Sequence, residues 1–208
     1  MRPASAFSDM DTRFGKPYSP LQQVYELAAI PTLETPRLLL RPLERAAADQ
    51  MQVHFPQWEI LRYLKAIVPW PYPPDGAERF LDIALAGMER SEAWHWSLRP
   101  KTEPGALIGV ISLMTKADNR GFWIAPAWQG RGLMAEAADA VKDFWFHTLK
   151  FPVLRTSKAA ENAASRRISE KQGMRLVAIG ERDYVCGRLP SEVWEITAEE
   201  WDARRQAK

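Results

Sequence analysis

The sequence predicts an α+β domain built on a mixed, mostly antiparallel sheet with helices on both faces, and three observations predict it. Three strand signals follow one another across tight turns, at residues 94–98, 106–113 and 120–124, which is the order of an antiparallel meander. The chain then reads β-α-β-α-β-β, through a helix at 131–149, a strand at 153–157, a helix at 162–172 and strands at 176–185 and 192–197. That order favours parallel pairing around the first of those helices. Between the two halves, a strand runs into a long helix through a turn in which two glycines flank an arginine.

Taken in order, residues 1–31 mix Ser, Pro, Gly and Asp with single aromatics and show no period, apart from a helical stretch at 21–30 that Pro31 closes. They read as an appendage, with one domain from 32 to 208. Leu38-Leu39-Leu40-Arg41-Pro42-Leu43 is a short apolar strand ended by proline, and the Ala-rich stretch 46–53 is helical. Prolines interleaved with Trp58, Tyr63, Trp70 and Tyr72 bar long elements from 54–74, leaving room for a short helix at 59–65. Asp75 is placed to cap a helix ending near Ser91, with Phe80, Ile83, Ala84, Leu85 and Met88 at helical spacing. The next helix turns Leu133, Ala137, Ala140, Val141 and Phe144 inward. Among the tryptophans, Trp96 and Trp145 read as core.

Bulk composition removes several function classes. The chain has 208 residues, and its 28 basic against 26 acidic residues give a formal charge of +2, far from the one-sided balance of a nucleic-acid coat or a membrane-surface binder. Any bound anion is therefore held locally. A single cysteine, Cys186, points to a reducing compartment, and no apolar run approaches a membrane span or a secretion signal, so a cytoplasmic protein is expected. His54, His95 and His147 lie in three separate elements without metal-ligand spacing, so no metal is expected.

The chemistry sits in Ile124-Ala125-Pro126-Ala127-Trp128-Gln129-Gly130-Arg131-Gly132-Leu133-Met134-Ala135-Glu136-Ala137. The first N–H groups of a helix lack internal partners, the helix dipole is positive there, and glycine lets an oxyanion approach the backbone, so a diphosphate fits this turn. A turn using glycine only for its conformation gives no reason for the arginine. Gly130-x-Gly132-x-x-Ala135 also satisfies the loosest dinucleotide fingerprint, but residues 126–129 separate it from the strand, and the next strand ends in Thr156-Ser157-Lys158 rather than an acid.

Gln129-Gly130-Arg131-Gly132-Leu133-Met134 resembles the Q/R-x-x-G-x-G/A acetyl-CoA loop of the GNAT acetyltransferases, with Met134 standing in place of Gly or Ala. Asn162-Ala163-Ala164-Ser165-Arg166-Arg167-Ile168-Ser169-Glu170-Lys171-Gln172-Gly173-Met174 resembles the N-x-x-S helix of the ribosomal-protein N-terminal acetyltransferase (RimJ/RimL-like) branch. Leu33-Glu34-Thr35-Pro36-Arg37-Leu38-x-Leu40-Arg41-Pro42 resembles that branch's opening. The resemblance spans about 32–198 and implies the GNAT fold, its sheet splayed between two parallel strands, with acetyl-CoA (coenzyme A) as co-substrate. It assigns cofactor binding to Ile124, Gln129, Gly130, Arg131, Gly132, Leu133, Met134 and Asn162. Ser165 would serve the departing thiolate and Asp183, before Tyr184, would be the base, with Glu181 as its rival. Relatives often carry a tyrosine where Ser169 stands and an acid where Asn119 stands. Asn162 is equally placed as an N-cap. One of Arg166, Arg167, Lys171 and Arg175 could meet the 3′-phosphate of CoA, although a solvated face explains them as simply.

The implied reaction is direct attack of a primary amine on the thioester. At pH 7 about one lysine amine in 10³ is neutral against about one α-amine in ten, so a base helps lysine most. The acceptor is a protein N-terminus or a small amine such as a polyamine, amino acid or antibiotic, and Trp58 and Trp70 fall in the region expected to line its pocket. A non-catalytic acyl-CoA-binding module is the alternative from another class. Monomer and homodimer both stay open.

Overall fold

A computed structural model describes residues 30–207; the helical stretch expected at 21–30, Ile30 excepted, lies outside the described residues. The chain orders as β1 (Leu33–Glu34), β2 (Leu38–Pro42), α1 (Ala48–His54), α2 (Trp58–Leu61), α3 (Gly76–Glu89), β3 (Ala93–Pro100), β4 (Gly109–Met114), β5 (Arg120–Ile124), α4 (Leu133–Asp143), β6 (Val153–Ala159), α5 (Ala163–Lys171), β7 (Arg175–Tyr184), β8 (Gly187–Thr197) and α6 (Ala198–Gln206). Past Asp143, α4 runs on through a π-helical turn, Phe144–Thr148.

The strands form two antiparallel sheets, one ordered β1-β2-β3-β4-β5 and the other β6-β8-β7. The expected meander is β3-β4-β5, with Trp96 opposite Ile111 and Ile111 opposite Phe122. The parallel pairing expected around α4 is not made as a ladder. β5 and β6 touch at one end only, where Asn119 N–H donates to Arg155 O at 2.7 Å and Asn119 Oδ1 accepts Arg155 N–H at 2.7 Å. The acid missing at position 119 is thus an amide that pins the two strands, and beyond it they splay. Such a gap survives only where something else lines it.

Helices cover both faces. Trp94, Trp96, Leu98 and Ile111 pack with Ala137, Val141, Trp145 and Trp201 on one side; Val110 and Trp123 pack with Met51, Ile60, Leu81 and Ala84 on the other. Trp96 and Trp145 are core, as expected. The stripe read for α3 is rotated, since Ala77, Leu81, Ala84 and Gly87 are buried while Ile83 is 72% exposed. The small residues let α3 approach the sheet closely, and a Cβ on Gly87 would meet that of Ala93 at 3.4 Å. Asp75 precedes α3 but does not cap it; its carboxylate takes Arg79 instead, at 2.7 Å. A helix not expected from the sequence, α6, starts at a complete capping box made by Thr197 and Glu200. Among the described residues no helix is long and apolar enough to cross a membrane.

Candidate active site

Gly130 and Gly132 hold φ of +74° and +77°, a backbone region that costs other residues about 1–2 kcal/mol. Gly132 is the N-cap of α4, and its carbonyl accepts the Glu136 N–H at 3.1 Å. The amides of Leu133, Met134 and Ala135 therefore precede the first internal donor of the helix and remain free for an anion. Met134 is buried and packs in the core cluster.

The loop is locked from outside by a contact that joins two of the sequence motifs. Glu136 accepts the Thr35 hydroxyl, the Arg37 N–H at 2.8 Å and Arg37 Nε at 2.7 Å, while Arg37 Nη1 donates to Arg131 O at 2.9 Å. Burial raises the Glu136 carboxyl, but these donors outweigh it and the net shift is downward. Gln129 also folds inward, its amide donating to Ile124 O at 3.0 Å. Arg131 itself turns back over the Trp128 ring, 4.9 Å from its centre.

Opposite the loop, the Asn162 side chain caps α5 by accepting the Ser165 N–H at 3.1 Å. The face of α5 that follows carries Ser165, Arg167, Ile168 and Lys171 into a cleft of about 480 Å³. From the other side Ile124, Gln129, Gly130, Gly132, Leu133 and Met134 line the same cleft, and residues 59–64, Leu61 excepted, close its end. Eight of the ten residues read as the site from sequence are thereby brought together.

Two are not. Arg131 contributes only backbone to the loop, because its guanidinium stacks on Trp128. Asp183 lies outside the cleft on an exposed edge of β7, with its carboxylate 3.7 Å from Arg188; strand alternation turns the buried side to Tyr184 instead. The rival Glu181 pairs with Arg188 at 2.9 Å. Ser169 is wholly buried on the opposite face of α5, so the tyrosine position of relatives does not reach the cleft here.

Sequence reasoning missed Glu59 and Tyr63 as lining residues, because nothing in a Pro-rich stretch reports which way its side chains turn. Trp58 and Trp70 meet at a tilt, ring centres 5.4 Å apart and about half exposed, and neither lines the cleft. Of the basic run, Arg167 and Lys171 face the cleft, whereas Arg166 pairs with Glu192 at 3.0 Å and Arg175 with Glu200 at 2.6 Å.

Residues 37–175 match the acetyltransferase (GNAT) domain model. The chain belongs to the GNAT acetyltransferases. This GNAT chain is 25% identical over 130 residues, 60% of its length and 69% of the relative's, to the probable N-acetyltransferase YjcK of Bacillus subtilis. Its fold is shared by the ribosomal-protein-S5-alanine acetyltransferase of Vibrio fischeri, with a TM-score of 0.70 and 13% identity over 82% of this chain and 98% of that one. RimJ of Mycobacterium smegmatis, in complex with a CoA-disulfide, superposes with a TM-score of 0.71 at 16% identity, over 82% and 87% of the two chains. RimL, a ribosomal L7/L12 α-N-protein acetyltransferase bound to coenzyme A, gives 0.67 at 15% identity, over 81% and 97%. The chain is an N-acetyltransferase, and its family uses acetyl-CoA.

Proposed function

We propose that this N-acetyltransferase binds acetyl-CoA in the cleft between β5 and β6 and transfers the acetyl group to the α-amine of a protein N-terminus. One observation carries the reading: both CoA-type motifs line one cleft, and a separate wall, residues 59–64, closes it. The free amides of Leu133, Met134 and Ala135 take the diphosphate, Arg167 or Lys171 the 3′-phosphate, and Asn162 the pantetheine arm.

Glu59 is the carboxylate on the wall across from the α5 motif, standing in the first turn of α2. It receives the acceptor ammonium and takes one proton from it. The neutral nitrogen then forms a bond to the thioester carbon, the C–S bond breaks with its electron pair on sulfur, and the surplus proton on nitrogen passes to sulfur to give the thiol. Ser165 Oγ, which has no bonding partner among the described residues, is positioned as donor to that sulfur. A lone carboxylate is enough for an α-amine, since about one in ten is already neutral at pH 7. A polyamine would want several acids, and among the described residues the only other one lining the cleft, Glu161, stands at the α5 motif. The balanced charge and lone cysteine support work in the cytoplasm.

The test is a thiol-release screen with acetyl-CoA against N-terminal peptides, polyamines, amino acids and aminoglycosides. We expect peptides to be turned over fastest, and Glu59→Gln to raise the peptide KM with little change in CoA affinity. Faster turnover of a small amine would move the acceptor to that class. CoA binding without thiol release from any amine would make the chain a binding module.

A further inference from the structure

The wall that closes the cleft is not held by its own secondary structure. Helix α2 is a single turn, and residues 62–68 beyond it form turns and one isolated bridge. The segment is held instead by the tip of the β7–β8 hairpin. Cys186 N–H donates to Arg62 O at 3.1 Å, Val185 N–H to Leu64 O at 2.9 Å, and Ala66 N–H to Asp183 O at 3.1 Å. One side chain reinforces this backbone pairing, since Lys65 Nζ lies 2.5 Å from Asp118 Oδ2.

Asp118 sits in the turn ahead of β5, with its carboxylate only 12% exposed. Its Oδ1 accepts the Ser157 N–H at 2.7 Å and the Ser157 hydroxyl, and its Oδ2 also meets Arg182 Nη1 at 2.6 Å. Four segments therefore converge on one carboxylate: the wall, the turn before β5, β6 and β7. The turn before β5 and the strand β6 meet here beside the Asn119–Arg155 contact that joins β5 to β6.

We propose that Lys65 and Asp118 form a clamp that sets the distance of the wall from the splay, which makes Lys65 a positioning residue for the acceptor amine. The proposal rests on the reading of residues 59–64 as the acceptor wall. Reacting atoms must come within about 3–3.5 Å, and a misplacement of about 1 Å can cost about 10²-fold in rate. A pair in which one partner is nearly buried and already hydrogen-bonded is stiffer than a pair between two solvated chains. Burial alone would raise the Asp118 carboxyl, but Lys65, Ser157 and Arg182 outweigh it and hold it well below the usual carboxylate range. The Asp118 carboxylate therefore stays ionised at any pH where the enzyme would be assayed.

Lys65→Met keeps the aliphatic stem and removes the charge, while leaving Asp118 its bonds to Ser157 and Arg182; Lys65→Arg restores the charge. In the full chain, Lys65→Met should raise the KM for the fastest N-terminal peptide by about tenfold. CoA affinity by calorimetry should hold within about twofold, and Lys65→Arg should recover most of the loss. Hydrogen exchange at the Ala66, Val185 and Cys186 amides should quicken in Lys65→Met alone. Unchanged peptide KM in a variant with unchanged amide exchange would overturn the clamp, as would a parallel loss of CoA affinity. Should the wild type acetylate no amine, the acceptor reading falls by itself. Amide exchange then decides the clamp, and full protection in Lys65→Met overturns it.

Discussion

Replacing Gly132 by valine tests the loop directly. Gly132 holds φ +77°, and an added Cβ would meet Arg37 Nη2 at 3.5 Å, an ordinary contact. The substitution therefore acts through conformation and not through a clash. A β-branched residue in the left-handed region costs about 1–3 kcal/mol, and that cost goes one of two ways. If the Glu136 lock to Thr35 and Arg37 holds the loop in place, the strain persists with and without ligand. Stability then falls by the same amount, or about 2–4 °C in Tm per kcal/mol for a chain of this size. If the loop relaxes, the amides of Leu133 and Met134 swing off the diphosphate. CoA can draw the loop back only by repaying that strain, so its binding weakens by about 5- to 150-fold. Valine favours relaxation, and we expect the affinity loss. Titration calorimetry with CoA and with dephospho-CoA measures it. The two ligands share the diphosphate, so both should lose equally in Gly132→Val, whereas only CoA should lose in Arg167→Ala or Lys171→Ala. A folded Gly132→Val protein that binds CoA as the wild type does would refute the anion loop and the cleft assignment with it.

Ser165→Ala should lower kcat by about 10²-fold if its hydroxyl donates to the leaving sulfur, with CoA affinity unchanged by calorimetry; Tyr63→Phe, which removes a hydroxyl from the facing wall, is the control. An undiminished kcat in Ser165→Ala would hand the role to another donor. Lys142 is wholly buried on α4, its ammonium 3.9 Å from the Trp201 ring centre, and burial, then Arg120, lowers it to about 6. In the unfolded chain it keeps its ordinary value of 10.5. Between those two values the unfolded state binds more protons, so stability should rise with pH by up to about 1.4 kcal/mol per unit from this group. Below pH 6 the contribution is constant and at its minimum. Lys142→Met should flatten that rise in denaturant titrations between pH 6 and 9 and raise stability at pH 7 by about 1–4 kcal/mol. An unaltered pH slope would show that Lys142 is protonated in the fold. Lys158, lowered to about 7 by burial first and Arg120 next, leaves a residual slope in either protein.

Local features were legible along the chain. Strand β5 is Arg120–Ile124 from both readings, and the Asn162 cap, the glycine loop and the start of α4 near Arg131 follow from backbone rules that act over a few residues. The Pro-rich stretch was legible as irregular, and no more. Which residues share the cleft depends on packing between elements distant in the chain. Glu59 and Asp183 look alike in sequence, each an acid beside an aromatic, yet one lines the cleft and the other faces solvent from a strand edge. Strand alternation and the turn of a one-turn helix fix those directions, and neither can be phased without the neighbouring elements. Distance along the chain hid the rest. Thr35 and Arg37 reach Glu136 across about a hundred residues, and Lys65 reaches Asp118 across about fifty. Charge pairs at such separations leave no period or spacing in a sequence, because packing alone brings them together.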